Sequence, residues 1–166
     1  MRIFSCFLSG IVIFILTGCM PSSEEIKKET IENAEQAFSS KKQKSNESSD
    51  LFSYYLPEDF QVKETKKANV LLEKGNQSFI LFVNQNEDES SKVSFETLAE
   101  QYKEPFISET FERDNEFGYI FVVKVDKNLY EVTVGLGGTK LTTESEAHNL
   151  HDDVQVMMEI VKSVQY

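Results

Sequence analysis

The chain has 166 residues, of which 40% are hydrophobic and 13 are Phe, with only 7 Gly and 3 Pro. That composition suits one packed domain and excludes collagenous, solenoid and wholly disordered classes. Its formal net charge of −11, with no basic cluster, argues against nucleic acid as a partner, because affinity for a phosphate backbone depends on Lys and Arg neutralising it.

Arg2 opens the chain and precedes a nearly unbroken apolar run over residues 3–16. The run has the length of a signal-peptide core and falls short of the ~20 residues that a membrane-spanning helix needs. It ends in Leu16-Thr17-Gly18-Cys19 and gives way abruptly to polar Pro21-Ser22-Ser23-Glu24. Leu16-Thr17-Gly18-Cys19 resembles the lipobox of bacterial lipoproteins, with a branched residue three before the cysteine and small residues beside it. The resemblance covers about the first twenty residues. It implies that a diacylglyceryl lipid, with fatty acids such as palmitate, is joined to the Cys19 sulfur and that a peptidase cuts between Gly18 and Cys19. The mature protein is then expected at the extracytoplasmic face of the cell membrane, with that covalent lipid in place of any cofactor. One Arg and no Lys make a leader less basic than usual, a departure that bears on export efficiency. Cys6 leaves with the leader and Cys19 is blocked, so the mature domain has no cysteine for a disulfide, a thiolate metal site or a nucleophile.

Residues 22–50 are rich in Ser, Glu, Lys, Gln and Asn, a composition expected of a tether between lipid and domain. Part of it should be helical. Ile26, Thr30, Ala34 and Phe38 recur every four residues, Glu24 and Lys28 are spaced to pair, and Ser22 or Ser23 offers an N-cap. Residues 39–50 are all polar and are expected to be flexible.

The domain proper is expected over residues 51–166. Tyr54-Tyr55-Leu56-Pro57-Glu58-Asp59-Phe60 sets aromatics around a turn, and residues 61–64 continue as a strand. Residues 70–74 and 78–84 flank Gly75-Asn76 as a hairpin. Ser94 is placed to cap a helix with Phe95, Leu98, Ala99 and Tyr102 on one side, stopped by Pro105. Strands follow at 106–111, 117–125 and 129–136. Residues 146–164 form the strongest helical pattern, with Ala147, Leu150, Val154, Met157, Met158, Val161 and Val164 on one stripe. This order predicts an α+β domain, an antiparallel sheet with helices packed against it.

That order resembles the fold of photosystem accessory proteins of the PsbP type, shared with a nuclear import factor. The short segments Leu56-Pro57-Glu58-Asp59-Phe60 and Met158-Glu159-Ile160-Val161-Lys162-Ser163-Val164 carry the resemblance across residues 51–166. Such a fold hosts binding and assembly proteins and brings no catalytic residues with it.

Local chemistry is sparse. Gly135-Leu136-Gly137-Gly138-Thr139-Lys140 lacks the register of a phosphate loop and reads as a bulge or tight connection. Glu87-Asp88-Glu89 lacks the alternating ligands of a calcium loop and reads as a solvated acidic loop. The one metal candidate is His148, His151 and Asp152, neighbours if a helix begins near Ser145, with Glu144 at the same end. Acidic residues in a first helical turn also suit the helix dipole, and His151 borders the apolar stripe. No G-x-S-x-G elbow accompanies the two histidines, so no catalytic residues are assigned and enzymatic activity is left open. Three classes follow: a non-enzymatic, membrane-tethered binding or assembly module; a metal or small-ligand binding lipoprotein; a hydrolase or folding helper. The acidic balance favours a monomeric domain that anionic lipid and wall polymers repel, with an envelope protein or a cation as its partner.

Overall fold

The structure is a computed structural model that describes residues 21–166. Gly18, Cys19 and the leader, with the cleavage and lipidation expected there, lie outside the described residues. The fold is α+β. Helix α1 (Ser23–Ser39) leads to a short ladder of β1 (Glu47–Ser48) and β2 (Ser53–Tyr54). The main sheet holds β3 (Phe60–Lys66), β4 (Asn69–Lys74), β5 (Gln77–Val83), β6 (Ile107–Arg113), β7 (Glu116–Lys124), β8 (Leu129–Leu136) and β9 (Thr139–Glu146). Helix α2 (Val93–Gln101) separates β5 from β6, and α3 (Leu150–Ser163) closes the chain.

The seven strands run in the order β3-β4-β5-β9-β8-β7-β6, all antiparallel. Two meanders therefore meet at the centre, where β9 pairs with β5 from Phe79↔Thr143 to Val83↔Thr139. The Gly-rich segment proves to be the tight turn between β8 and β9, with Gly137 at φ +53°. Leu141-Thr142-Thr143 belongs to a full strand, β9, whose alternate residues Leu141 and Thr143 are buried beneath α3.

One sheet face carries the core. Leu72, Phe79, Leu81, Val132, Val134 and Leu141 are buried there, and α3 sets Leu150, Val154, Met157, Met158 and Val161 on them. Burial of that stripe is the main term holding α3 to the sheet, at about 1.5–3 kcal/mol per large apolar side chain.

Helix α1 lies beside α3 on the same face, which corrects the expected tether. The four-residue spacing is a packing stripe: Thr30, Ala34 and Phe38 are all buried. Phe38 lies flat enough on β7 that a Cβ added at Gly118 would stand 2.6 Å from its ring, so only glycine admits this approach. At the other end a capping box starts the helix: Ser22 Oγ accepts from the Glu25 N–H at 3.2 Å and Glu25 Oε2 accepts from the Ser22 N–H at 2.7 Å. The polar stretch after α1 is also fastened. Asn46 exchanges hydrogen bonds with the Leu56 backbone at 2.7 and 2.8 Å, and Ser53 pairs with Gln165. Among the described residues no helix is long and apolar enough to cross a membrane.

Two helix starts differ from expectation. Lys92, rather than Ser94, occupies the N-cap of α2, and its side chain makes no capping bond. Helix α3 begins at Leu150 because Ser145 and Glu146 are held in β9, opposite Tyr130 and Leu129.

Candidate functional site

Helix α2 packs on the second sheet face, chiefly along β7. Phe95, Leu98 and Tyr102 pack there on Phe117, Tyr119 and Phe121, giving a small separate core. Tyr119 is fully buried over Gly135, and its hydroxyl makes no hydrogen bond of good geometry among the described residues, with the Ser94 side chain the polar group beside it. Burial pushes that phenol's pKa well up.

On β8 the same face is still closed over Thr133 and Gly135, and it opens only toward β5 and β4. The alternation of β5 turns Phe79, Leu81 and Val83 into the core and Ile80 and Phe82 outward. Ile80 stands opposite Leu71 on β4 and Thr142 on β9, and is 51% exposed. These residues floor a groove of about 710 Å³ that Leu129, Glu131, Glu144, Glu146, Lys74 and Gln77 help to line. Three carboxylates against one ammonium make it acidic around an apolar floor. Tyr102, at the end of α2, reaches over to Glu131 at 3.4 Å, and the Glu131 carboxylate raises the phenol's pKa. Lys140 covers part of Phe82, 5.6 Å from its ring centre.

A polar network closes one end of the groove. Gln77 Nε2 donates to Asp153 Oδ2 at 2.9 Å, to the Glu144 carbonyl at 3.0 Å and to Thr143 Oγ1 at 3.2 Å. Ser145 Oγ donates to the same Asp153 oxygen at 2.6 Å. Asp153 is thus a buried acceptor that locks the first turn of α3 to β5 and β9.

The metal candidate does not assemble as the helical spacing suggested. His148 sits in the turn before α3, with Nδ1 3.5 Å from Glu146 Oε2, whereas His151 Nε2 lies 3.5 Å from Asp152 Oδ1. Each imidazole has its own carboxylate, and both lie outside the groove lining. Among the described residues no group of three His, Cys, Asp or Glu side chains is placed to hold a metal ion.

The acidic loop is similarly self-contained. Glu87 accepts from Asn84 Nδ2 at 2.6 Å and Ser91 Oγ at 2.5 Å, Asp88 accepts from Ser90, and Glu89 pairs with Lys42 at 2.6 Å. The Ser90 hydroxyl and N–H hold the Asp88 pKa below its usual value. The carboxylates are spent on shaping this loop, not on converging toward a cation.

No protein-family model matches this chain, and no curated protein sequence matches it.

The groove residues carry no motif, which is why sequence reasoning missed them. One signal was present. Phe79-Ile80-Leu81-Phe82-Val83 is apolar at every position, and a strand of that kind has two apolar faces. In β7 the second face meets α2; in β5 Phe82 is partly covered by Lys140 and Ile80 is left half exposed.

Proposed function

We propose that this protein is a lipoprotein of the cell envelope, anchored at the extracytoplasmic membrane face through a diacylglyceryl lipid on Cys19, whose domain is a non-enzymatic binding or assembly module. The lipobox resemblance supports the anchor. The groove beside β5, with half-exposed Ile80 on its floor and carboxylates on its rim, is the observation that carries the binding role, since a concave site with a few apolar groups and convergent polar ones suits a bound partner or ligand. The resemblance of residues 51–166 to the PsbP type favours a binding or assembly role by analogy alone.

The groove's carboxylates favour a partner that brings apolar groups together with basic ones. A photoreactive amino acid at Ile80 tests this in intact cells, with Val62 as the control, an exposed apolar residue on the edge strand β3. A protein adduct of defined size from position 80 and none from 62 is the expected result. Equal patterns from the two positions would remove the groove from the account.

The groove volume favours one second reading, a small-ligand lipoprotein, because ~300–1,000 Å³ is usual for such sites. Native mass spectrometry of protein purified from its membrane would then show a bound molecule that Ile80→Glu releases. Calorimetric titration with zinc or calcium tests the cation version.

A further inference from the structure

We infer that the end of the domain carrying the start of α1 faces the membrane, held there by a rigid helix on a very short leash. The inference rests on lipid attachment at Cys19. Between Cys19 and the first residue of α1 stand only Met20, Pro21 and Ser22. At ~3.6 Å per residue, Cys19 and Ser23 are at most roughly 14 Å apart.

Helix α1 cannot swing to lengthen that reach. It is capped at Ser22, buried through Thr30, Ala34 and Phe38, and tied to α3 by Asn33 Nδ2 donating to the His151 carbonyl at 3.2 Å. Its direction is set as well. Phe38 packs on Gly118, near the start of β7, whereas Lys27 stands 5.0 Å over the Phe106 ring, and Phe106 bonds the Val122 carbonyl near the end of β7.

The start of α1 therefore lies at the sheet end where β7 turns into β8 and β9 turns into α3. Ala147 and Asn128 join those two turns by a 3.0 Å hydrogen bond. Val125 is 50% exposed at this end, between exposed Lys124 and exposed Asp126 and Lys127. An apolar side chain with lysines whose stems extend alongside suits a zwitterionic lipid surface. The covalent lipid supplies the affinity and α1 supplies the orientation. The opposite end, with the close of α1 and the β8–β9 turn, is held about 25 Å further out by the helix's length.

The test uses the full chain, processed in bacteria, extracted from the membrane and reconstituted in zwitterionic phosphatidylethanolamine–phosphatidylcholine vesicles with a headgroup-bound energy acceptor. Val125→Cys and Lys41→Cys carry the donor in separate proteins; Lys41 is exposed just past the end of α1. Transfer severalfold higher from 125 than from 41 is expected, and a flexible Gly-Ser insertion after Met20 should bring the two together. Equal transfer without the insertion, on protein that carries labelled fatty acid at Cys19, overturns the orientation alone. Absence of fatty acid on Cys19 overturns both the anchor and the orientation.

Discussion

Lys162, in the last turn of α3, donates to the carbonyl oxygens of Phe38 and Ser40 where α1 ends. Helix α1 has no basic residue in its own last turn, so its unpaired carbonyls and negative dipole end are answered from elsewhere in the chain. Arg113 adds a bond from Nη1 to the Ser39 carbonyl at 2.8 Å. Burial lowers the Lys162 pKa, with Arg113 and Lys42 contributing and Glu116 and Glu89 opposing. Lys42 differs: burial works against its charge, but bonds to Glu89 and Glu116 outweigh it and raise the pKa.

Lys162→Met keeps the stem and removes the donors. Leaving two carbonyls without them should cost about 1–3 kcal/mol in urea unfolding. Unchanged or increased stability would mean that burying the charge cancels what the hydrogen bonds contribute.

Phe38 and Gly118 should behave as a coupled pair. Gly118→Ala pushes a methyl against the ring and should cost about 1–3 kcal/mol, while Phe38→Ala should cost about 3–5 kcal/mol through a cavity. Combined, the two should cost clearly less than their sum, because the methyl then enters the space the ring vacated. Additive losses would place α1 elsewhere than on β7.

A protein truncated to start at Leu51 should lose cooperative unfolding and expose apolar surface to a dye, since it lacks the helix that covers part of α3 and β7. Brief proteolysis of the mature chain should leave a resistant fragment that starts near Ser22. Resistance beginning near Leu51 instead would restore the flexible tether to residues 22–50.

Strands β3 to β8, the β4–β5 hairpin and the apolar stripe of α3 were legible because alternation and 3.6-residue spacing report burial directly, whereas the Thr-rich central strand β9 was not. The polar stretch was misleading for a physical reason. A helix packed by Thr30, Ala34 and Phe38 needs few large apolar residues when Gly118 lets it approach closely, so its composition resembles a tether. His148, His151 and Asp152 looked adjacent only under a helix start at Ser145, and the pairing of Ser145 with Tyr130 moved that start. The groove depends on where α2 stops covering the sheet, which local sequence does not encode.

Stability should fall as pH rises above 10. Burial raises the Tyr54 pKa to about 12 and moves that of Tyr119 further in the same direction. Above the ordinary tyrosine value of 10 the unfolded chain loses these protons and the fold retains them, so proton loss favours unfolding until the folded pKa is passed. Urea midpoints measured from pH 9 to 12 should decline, and Tyr119→Phe should flatten the decline. Its stability near pH 7 should match or exceed that of the parent, because the buried hydroxyl it removes has at most a poorly aligned contact with Ser94. A steep loss at pH 7 would show that the hydroxyl has a partner.

Metabolic labelling with a fatty acid tests the anchor most directly. Cells expressing the parent chain should yield a labelled protein, in the membrane fraction, whose size is reduced by removal of residues 1–18. Cys19→Ala should yield no labelled protein, and the chain should accumulate uncleaved or be released. Fatty-acid label on the Cys19→Ala protein, or none on the parent, would contradict a lipid-anchored module.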